Sequence, residues 1–292
     1  MNWRSFWESE LMEYVTVQLT YGLVVGTTIA LTALGLTLIF GVMHIVNLSH
    51  GEFFMIGAYC AWAADQVLHN FWGSVLVAAV GSALLGGLLI MAFQRRLADA
   101  GPLRWALLTL GLGYVLREVV QLIFGTDFKL IDAPLKGTLP WIGGIYRLVV
   151  AGLSVALIVF AMWFLNRTRY GVLIRAVAGN REATAIAGVS PLAVYGWVSV
   201  ISAGLAGVAG ALMLPVTSAY PSMGLEIMVA AFAVVVVGGM GNIRGALVAS
   251  LVAGELEALL TLVLQPNLAI LLVMTLFMAV LVVRREGTLW LW

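Results

Sequence analysis

Residues 14–51 read YVTVQLTYGLVVGTTIALTALGLTLIFGVMHIVNLSHG and contain no Asp, Glu, Lys or Arg. A membrane hydrocarbon core about 30 Å thick takes about 20 helical residues at about 1.5 Å each. The stretch therefore crosses once with residues to spare, and its far end turns polar at Asn47, Ser49 and His50. Four further runs are equally free of charge: Gln66–Gln94, Leu148–Asn166, Ala183–Leu225 and Ala258–Val283. A transmembrane barrel would instead show segments of about ten residues with alternating polarity. These continuous runs predict an all-α, polytopic membrane protein.

Composition agrees. Of 292 residues, 62% are hydrophobic and 10% charged, against about 25% charged in a soluble domain. That content supplies roughly nine crossings. The net charge of +1 provides no basic field for nucleic acid. Cys60 is the only cysteine, which excludes an intrachain disulfide and leaves packing as its role.

Apolar spans are expected at 16–42, 51–66, 72–93, 103–124, 147–166, 191–214, 225–240, 245–263 and 267–283. Pro102 and Pro191 suit first-turn positions, Ser190 reads as an N-cap and Gly125 as a stop. The spans 51–66 and 225–240 are short, so one of them is expected to be re-entrant or to begin inside the membrane, giving eight or nine transmembrane or re-entrant helices. Residues 1–15, with Trp3, Phe6, Trp7 and Leu11 on one side and no small-residue cleavage site, read as an interfacial segment. Residues 16–285 read as one transmembrane domain with a cytoplasmic loop at 167–190, and 286–292 as a tail.

Basic residues mark the cytoplasmic side. Arg95, Arg96 and Arg104 flank one connection, Arg167, Arg169, Arg175 and Arg181 a second, Arg244 a third, and Arg284 with Arg285 follow the last span. Nine crossings put all four on one face, which places the N-terminus outside and the C-terminus in the cytoplasm. The outer face then mixes Arg4, Lys129, Lys136 and Arg147 with Glu8, Glu10, Glu13, Asp127 and Asp132. The ten Trp suit headgroup boundaries. Gly22 with Gly26, and Gly204, Gly207 and Gly210, read as close helix contacts.

Three stretches carry functional signals. In Gly41–Glu52, Asn47, Ser49, His50 and Glu52 put amide, hydroxyl, imidazole and carboxylate into one turn, with Gly51 as a bend. Two readings stay open for it: a cytoplasmic loop, or a broken helix lining a cavity. The stretch RTRYGVLIRAVAGNREATAIAGVSP, residues 167–191, contains an N-cap at Asn180, Glu182 at the positive end of a helix dipole and a stop at Gly188. Its short helix is too short to stand without a partner surface, so it reads as a docking element rather than a solvated loop. The third, Gly238–Gly245, has four glycines in eight residues and reads as a tight turn. Its likeness to the first run hints at an internal repeat.

Charges within spans are costly, about 2.5–3.5 kcal/mol each on insertion scales. Glu255 and Glu257 lie in the eighth span and Arg117 with Glu118 in the outer half of the fourth, while Glu52 and Glu226 sit at span ends. Interhelical hydrogen bonding, snorkelling and a proton or substrate relay all remain open for the eighth-span pair. There is no G-x-x-x-x-G-K-[ST] loop, and the only lysines are Lys129 and Lys136, so ATP hydrolysis by that route is excluded. There is no H-E-x-x-H or cysteine pair to ligate zinc.

The stretch ALTALGLTLIFGVMHIVNLSHGEFFMIGAY resembles the N-terminal signature of the permease subunits of branched-chain amino acid ABC importers, the LivH type. LLTLGLGYVLREVVQLIFG, GVLIRAVAGNREATAIAGV and LEIMVAAFAVVVVGGMGNIRGALVASLVAG continue the resemblance in order, from about residue 20 to 285. Leu48 and Ser49 depart mildly from the Phe and Ala common there. The resemblance implies a multi-pass subunit of a bacterial inner membrane with no cofactor of its own. Its implied partners are a second permease subunit (a paralogue or another copy), two ATP-binding subunits that use the ATP, a periplasmic solute-binding protein and membrane lipid. It puts Arg175, Ala176, Asn180, Glu182, Ala183 and Gly188 in the loop that touches the ATPase. It matches Asn47, His50, Gly51 and Glu52 to a family signature, and together with Thr109 and Gly111 these are the candidates for the solute path. Urea and short-chain amide importers have related permeases. Against the partner-driven permease stands a self-sufficient proton-coupled carrier using Glu118, Glu255 or Glu257. A membrane enzyme is disfavoured by the lack of a nucleophile-and-base constellation.

Overall fold

A computed structural model describes residues 3–94 and 101–283, and among these finds eleven helices. They are α1 (Trp3–Met43), α2 (His50–Leu68), α3 (Phe71–Gln94), α4 (Pro102–Phe124), α5 (Ile145–Arg167), α6 (Arg169–Gly179), α7 (Arg181–Ile186), α8 (Pro191–Thr217), α9 (Met223–Gly238), α10 (Ile243–Leu260) and α11 (Pro266–Val283). Strands β1 (Thr138–Leu139) and β2 (Gly143–Gly144) form a small hairpin in the long connection before α5. The side chains of the 1–15 stripe through Leu11, the pairs Arg95/Arg96 and Arg284/Arg285, and the tail 286–292 lie outside what is described. The backbone of α1 runs without a break through residue 15.

Five helices, α1, α3, α4, α5 and α8, are long and apolar enough to cross a membrane, and α9 and α11 are shorter apolar helices. The chain is thus a helical, polytopic membrane protein. Each expected span coincides with a helix to within a few residues, except that α1 begins thirteen residues before the expected start at 16. The elements sort into two ends. At one end Gly41, near the close of α1, lies against Gly241 in the α9–α10 turn, and α6 packs near it on α1, α5 and α8. At the other, Lys129 pairs with Ala219 after α8, the Phe71 ring meets Tyr146, and Gln18 donates to Thr261. Arg104, Arg167, Arg169, Arg175, Arg181 and Arg244 all belong to the first end.

Two helices begin inside the bundle. α1 stops at His44, whose positive φ of 53° ends the helix. The chain then turns back along α1 and starts α2 at His50, whose Nε2 lies 3.1 Å from the Thr32 carbonyl. Thr32 is eleven residues before Met43, about 16 Å along the axis, so α2 starts near half-depth. α8 ends in the same manner at Ser218 (φ 65°), and α9 starts five residues later at Met223. The first turns of the two half-helices cross at Gly51 and Gly224, where a Cβ on Gly51 would overlap the Gly224 carbonyl oxygen. Gly51 is therefore not the expected bend. It lies within α2 and is required for close approach.

The expected kinship of the 41–52 run with the glycine run changes accordingly. The geometric counterpart of residues 43–52 is 217–226, while Gly238–Gly245 is a tight turn at the Arg-rich end, where a Cβ on Gly245 would overlap the Gly238 carbonyl oxygen. α1 and α8 form the centre. Leu31, Leu34, Leu212 and Leu214 are fully buried there, and Gly207 and Gly210 let α8 cross α2 at Gly57 and Phe54.

Candidate functional site

Two places bring the chemistry-bearing residues together: the junction of the half-helices, and the α6–α7 unit.

At the junction, the chain between α1 and α2 has no helical partners for its backbone, and side chains supply them. Asn47 Oδ1 accepts from the Ser49 amide at 3.1 Å and from Ser49 Oγ at 2.7 Å. The Leu48 amide donates to Thr109 Oγ1 on α4 at 3.0 Å, and that hydroxyl in turn donates to the Trp105 carbonyl at 2.9 Å. Asn47, Ser49, His50, Glu52 and Thr109 are all buried. Since a carbonyl can only accept, His50 Nε2 carries the proton toward Thr32, and Nδ1 is an acceptor without a partner among the described residues. A Cβ on Gly35 would sit 3.0 Å from the imidazole, so the ring fills a slot shaped for it.

Glu52 Oε1 is paired with Arg117 of α4, the guanidinium of which also lies 5.5 Å from the centre of the Tyr114 ring. Glu52 Oε2 and Arg117 Nε have no partner among the described residues. A Cβ on Gly113 would lie 3.6 Å from both Glu52 Cγ and Ser49 Cα. The pair ties α4, otherwise the least covered of the five long apolar helices, to the point where the half-helices meet. The crevice lined by Asn47, Ser49, Phe53, Trp105 and Thr109 has a volume of about 10 Å³. That is about the room for one water and far less than an amino acid needs.

Five of the six path candidates thus converge. The sixth, Gly111, is exposed on the opposite side of α4, with no atom within 4 Å of where its Cβ would be. The partnership of Glu52 with Arg117 is not readable from spacing, since 65 residues separate them. The remaining intramembrane acids lie elsewhere. Glu255 packs beside Gly22 of α1, and Glu257 is two residues farther along α10, toward the end opposite the Arg-rich one.

The α6–α7 unit is a capped helical pair where one short helix was expected. Thr168 caps α6 by accepting from the Gly171 amide at 3.1 Å, and Gly171 seats against the Leu165 carbonyl, where a Cβ would overlap it. Gly171, Ile174 and Val177 form the buried stripe of α6 at helical spacing. The Arg175 guanidinium donates to the Leu165 carbonyl. Asn180 ends α6 and caps α7, its Oδ1 accepting from the Ala183 amide at 2.8 Å. Ser190, by contrast, occupies the N-cap of α8 without a side-chain hydrogen bond. Thr184 is the one buried residue of α7, its hydroxyl 2.6 Å from the Asn180 carbonyl. At the far end Gly188 has φ 87°, and the Val189 amide returns to the Thr184 carbonyl at 3.2 Å, a helix stop that a left-handed glycine makes available.

Arg175, Ala176, Asn180, Glu182, Ala183 and Gly188 all fall on this unit, and all are exposed. The sequence reading passed over Ile186, which is 89% exposed, more than any other large hydrophobic side chain described. Its signal was available: an Ile two residues before the helix stop at Gly188, out of register with the buried Thr184. The Arg181 guanidinium lies 5.8 Å from the centre of the Tyr195 ring of α8, which steadies α7 against the bundle.

Residues 18–283 match the family described as "Branched-chain amino acid transport system / permease component". Among curated relatives, the high-affinity branched-chain amino acid transport system permease protein BraD of Pseudomonas aeruginosa is 28% identical over 267 residues, 85% of this chain and 87% of that protein. The corresponding permease protein LivH of Escherichia coli K12 is 27% identical over 303 aligned positions, 96% of this chain and 97% of that one. A probable branched-chain amino acid transport permease protein LivH of Methanocaldococcus jannaschii is 29% identical over 258 residues, 82% of this chain and 79% of its own length.

Proposed function

The chain belongs to the family of permease components of branched-chain amino acid transport systems, and from that premise we propose that it is the membrane-spanning subunit of an ABC importer. It moves branched-chain or other hydrophobic amino acids into the cytoplasm across an inner membrane, driven by partner subunits that bind and hydrolyse ATP. A periplasmic solute-binding protein delivers the solute, and a second permease subunit completes the pore.

The observation that carries this reading is the α6–α7 unit. A permease can sense ATPase movement only through a rigid element seated on the ATPase. Here a short helix is fixed by Asn180 at its start and Gly188 at its stop, and it holds Glu182, Ala183 and Ile186 outward. Small side chains permit close seating, and Ile186 supplies an apolar anchor that water does not favour. We assign the Arg-rich end, which carries this unit, to the cytoplasm. The N-terminus is then outside and the C-terminus inside, with nine helices crossing or entering the membrane. A reporter active only in the periplasm, fused after Trp292, is expected to give no signal.

The solute path follows the half-helix junction and the inward face of α4, past Asn47, His50, Gly51, Glu52 and Thr109, while Gly111, on the other face of α4, lies off it. The junction offers backbone groups and helix ends to a zwitterion in the manner of broken-helix transporters. Reconstitution tests the reading against a self-sufficient carrier. Liposomes holding this chain alone are expected to show no uptake, and liposomes holding the complete importer uptake that needs ATP. Uptake by the chain alone, driven by a proton gradient, would contradict the proposal.

A further inference from the structure

We infer that the outward face of α4, centred on Gly111 and Glu118, is the surface on which the second permease subunit packs. The inference rests on the pairing proposed above and assigns it to one helix. The inward stripe of α4, Trp105, Thr109, Gly113 and Val120, is buried. Half a turn away, Leu107, Gly111, Val115, Glu118 and Leu122 form the opposite stripe, all exposed, with Leu122 at 84%.

Lipid alone does not suit this face. Glu118 precedes the helix end at Phe124 by six residues, about 9 Å, and it enters no ion pair or hydrogen bond among the described residues. Its neighbour Arg117 is turned inward onto Glu52 and does not serve it. A carboxylate facing acyl chains is expensive, and such groups turn toward protein or water. The outward faces of α3 and α5 show the contrast: Leu84 and Leu88 on one, Val155 and Val159 on the other, are exposed, and neither helix carries an acid in its apolar span. Glu226, the exposed acid in the first turn of α9, is held by the Tyr220 hydroxyl at 2.6 Å and by Ser222 Oγ at 3.1 Å.

Gly111 adds the second half of the argument. With no atom within 4 Å of its Cβ position, it leaves a notch about two turns from Glu118 into which a neighbouring helix backbone fits. α4 is also bound to the half-helix junction through Thr109 and Arg117. A subunit seated on α4 therefore bears directly on the point where α2 and α9 meet.

Photo-crosslinking in the complete importer tests this. In a Cys60→Ser background, Leu107→Cys, Gly111→Cys and Leu122→Cys are labelled with benzophenone-maleimide, with Leu84→Cys and Val159→Cys for comparison. The α4 positions are expected to give adducts with the second permease subunit, and the α3 and α5 positions adducts with lipid alone. Adducts from α3 or α5 and none from α4, in a complex that still contains both permeases, would overturn the assignment. Absence of a second permease from the purified complex would instead overturn the pairing on which it rests. In parallel, Glu118→Leu is expected to weaken association about tenfold, the equivalent of one contact of about 1.4 kcal/mol, with Glu118→Gln closer to the parent. Unchanged association of Glu118→Leu would place the face in lipid.

Discussion

The half-helix junction and the α6–α7 unit are built from the same residue types, Asn, Thr, Glu, Arg and Gly, used in opposite ways. At the junction Asn47 bonds Ser49, Thr109 bonds the Leu48 amide and Glu52 pairs with Arg117, all inside the bundle, with His50 fully enclosed. In α6–α7, Asn180, Thr168 and Thr184 satisfy the local backbone, which leaves Glu182, Ala183 and Ile186 free to face outward. The first arrangement fixes the fold inside the bundle. The second spends no interior contacts on its display face and presents a rigid surface to something else. Damage at the junction should therefore read out as lost stability, and damage on α7 as lost association with an intact permease.

The largest effect that sharpens this contrast is expected at the buried ion pair. Arg117→Met leaves the Glu52 carboxylate enclosed without its cation, a loss of about 3–5 kcal/mol, visible as a lowered melting temperature in detergent. The double variant Glu52→Gln/Arg117→Met should recover most of it, and a double variant as unstable as the single would show that the pair is not the source. Next comes Gly51→Val, whose side chain has no room against Gly224. Overpacking of about 1–3 kcal/mol is expected, measured by the same melt, and a wild-type melt would contradict the crossing.

Ile186→Ser should leave the melt unchanged and weaken the hold of the ATPase about tenfold or more, since burying an Ile side chain contributes about 1.5–3 kcal/mol. A change in the melt with normal ATPase binding would invert the contrast. Smallest is Asn180→Ala, which removes one cap worth about 1 kcal/mol. It should loosen α7 in hydrogen exchange at the amides of 181–184 while α2 stays protected.

Much of this was legible in the sequence because lipid imposes a simple rule. Long charge-free runs become helices, and the spans from the second onward match the observed ones to within a few residues, while α1 starts well before its expected beginning. The shortness of 51–66 and 225–240 led to the expectation that one of them is re-entrant or begins inside the membrane, and both α2 and α9 begin inside the helical bundle. Local capping chemistry was equally plain: Asn180 and Gly188 act over three or four residues, within the reach of sequence reading. What depends on distant partners was not. The Glu52–Arg117 pair, the crossing of Gly51 with Gly224 and the outward turn of Gly111 away from Thr109 are set by how helices far apart in sequence meet. α6 was not foreseen as a separate helix: it seats against Leu165 at Gly171, a contact that spacing does not reveal.

The central claim is that α7 seats on an ATPase subunit, and Ala183→Trp tests it most directly. Ala183 is exposed and unneeded for the fold, while an indole there would block close seating. Measured on the purified importer in proteoliposomes, Ala183→Trp should fold and insert normally yet lose the ATPase subunits, or lose solute-stimulated ATP hydrolysis, with Glu182→Ala showing a milder defect of about 0.5–1.5 kcal/mol. Assembly and stimulated hydrolysis at the parent level in Ala183→Trp would contradict the account.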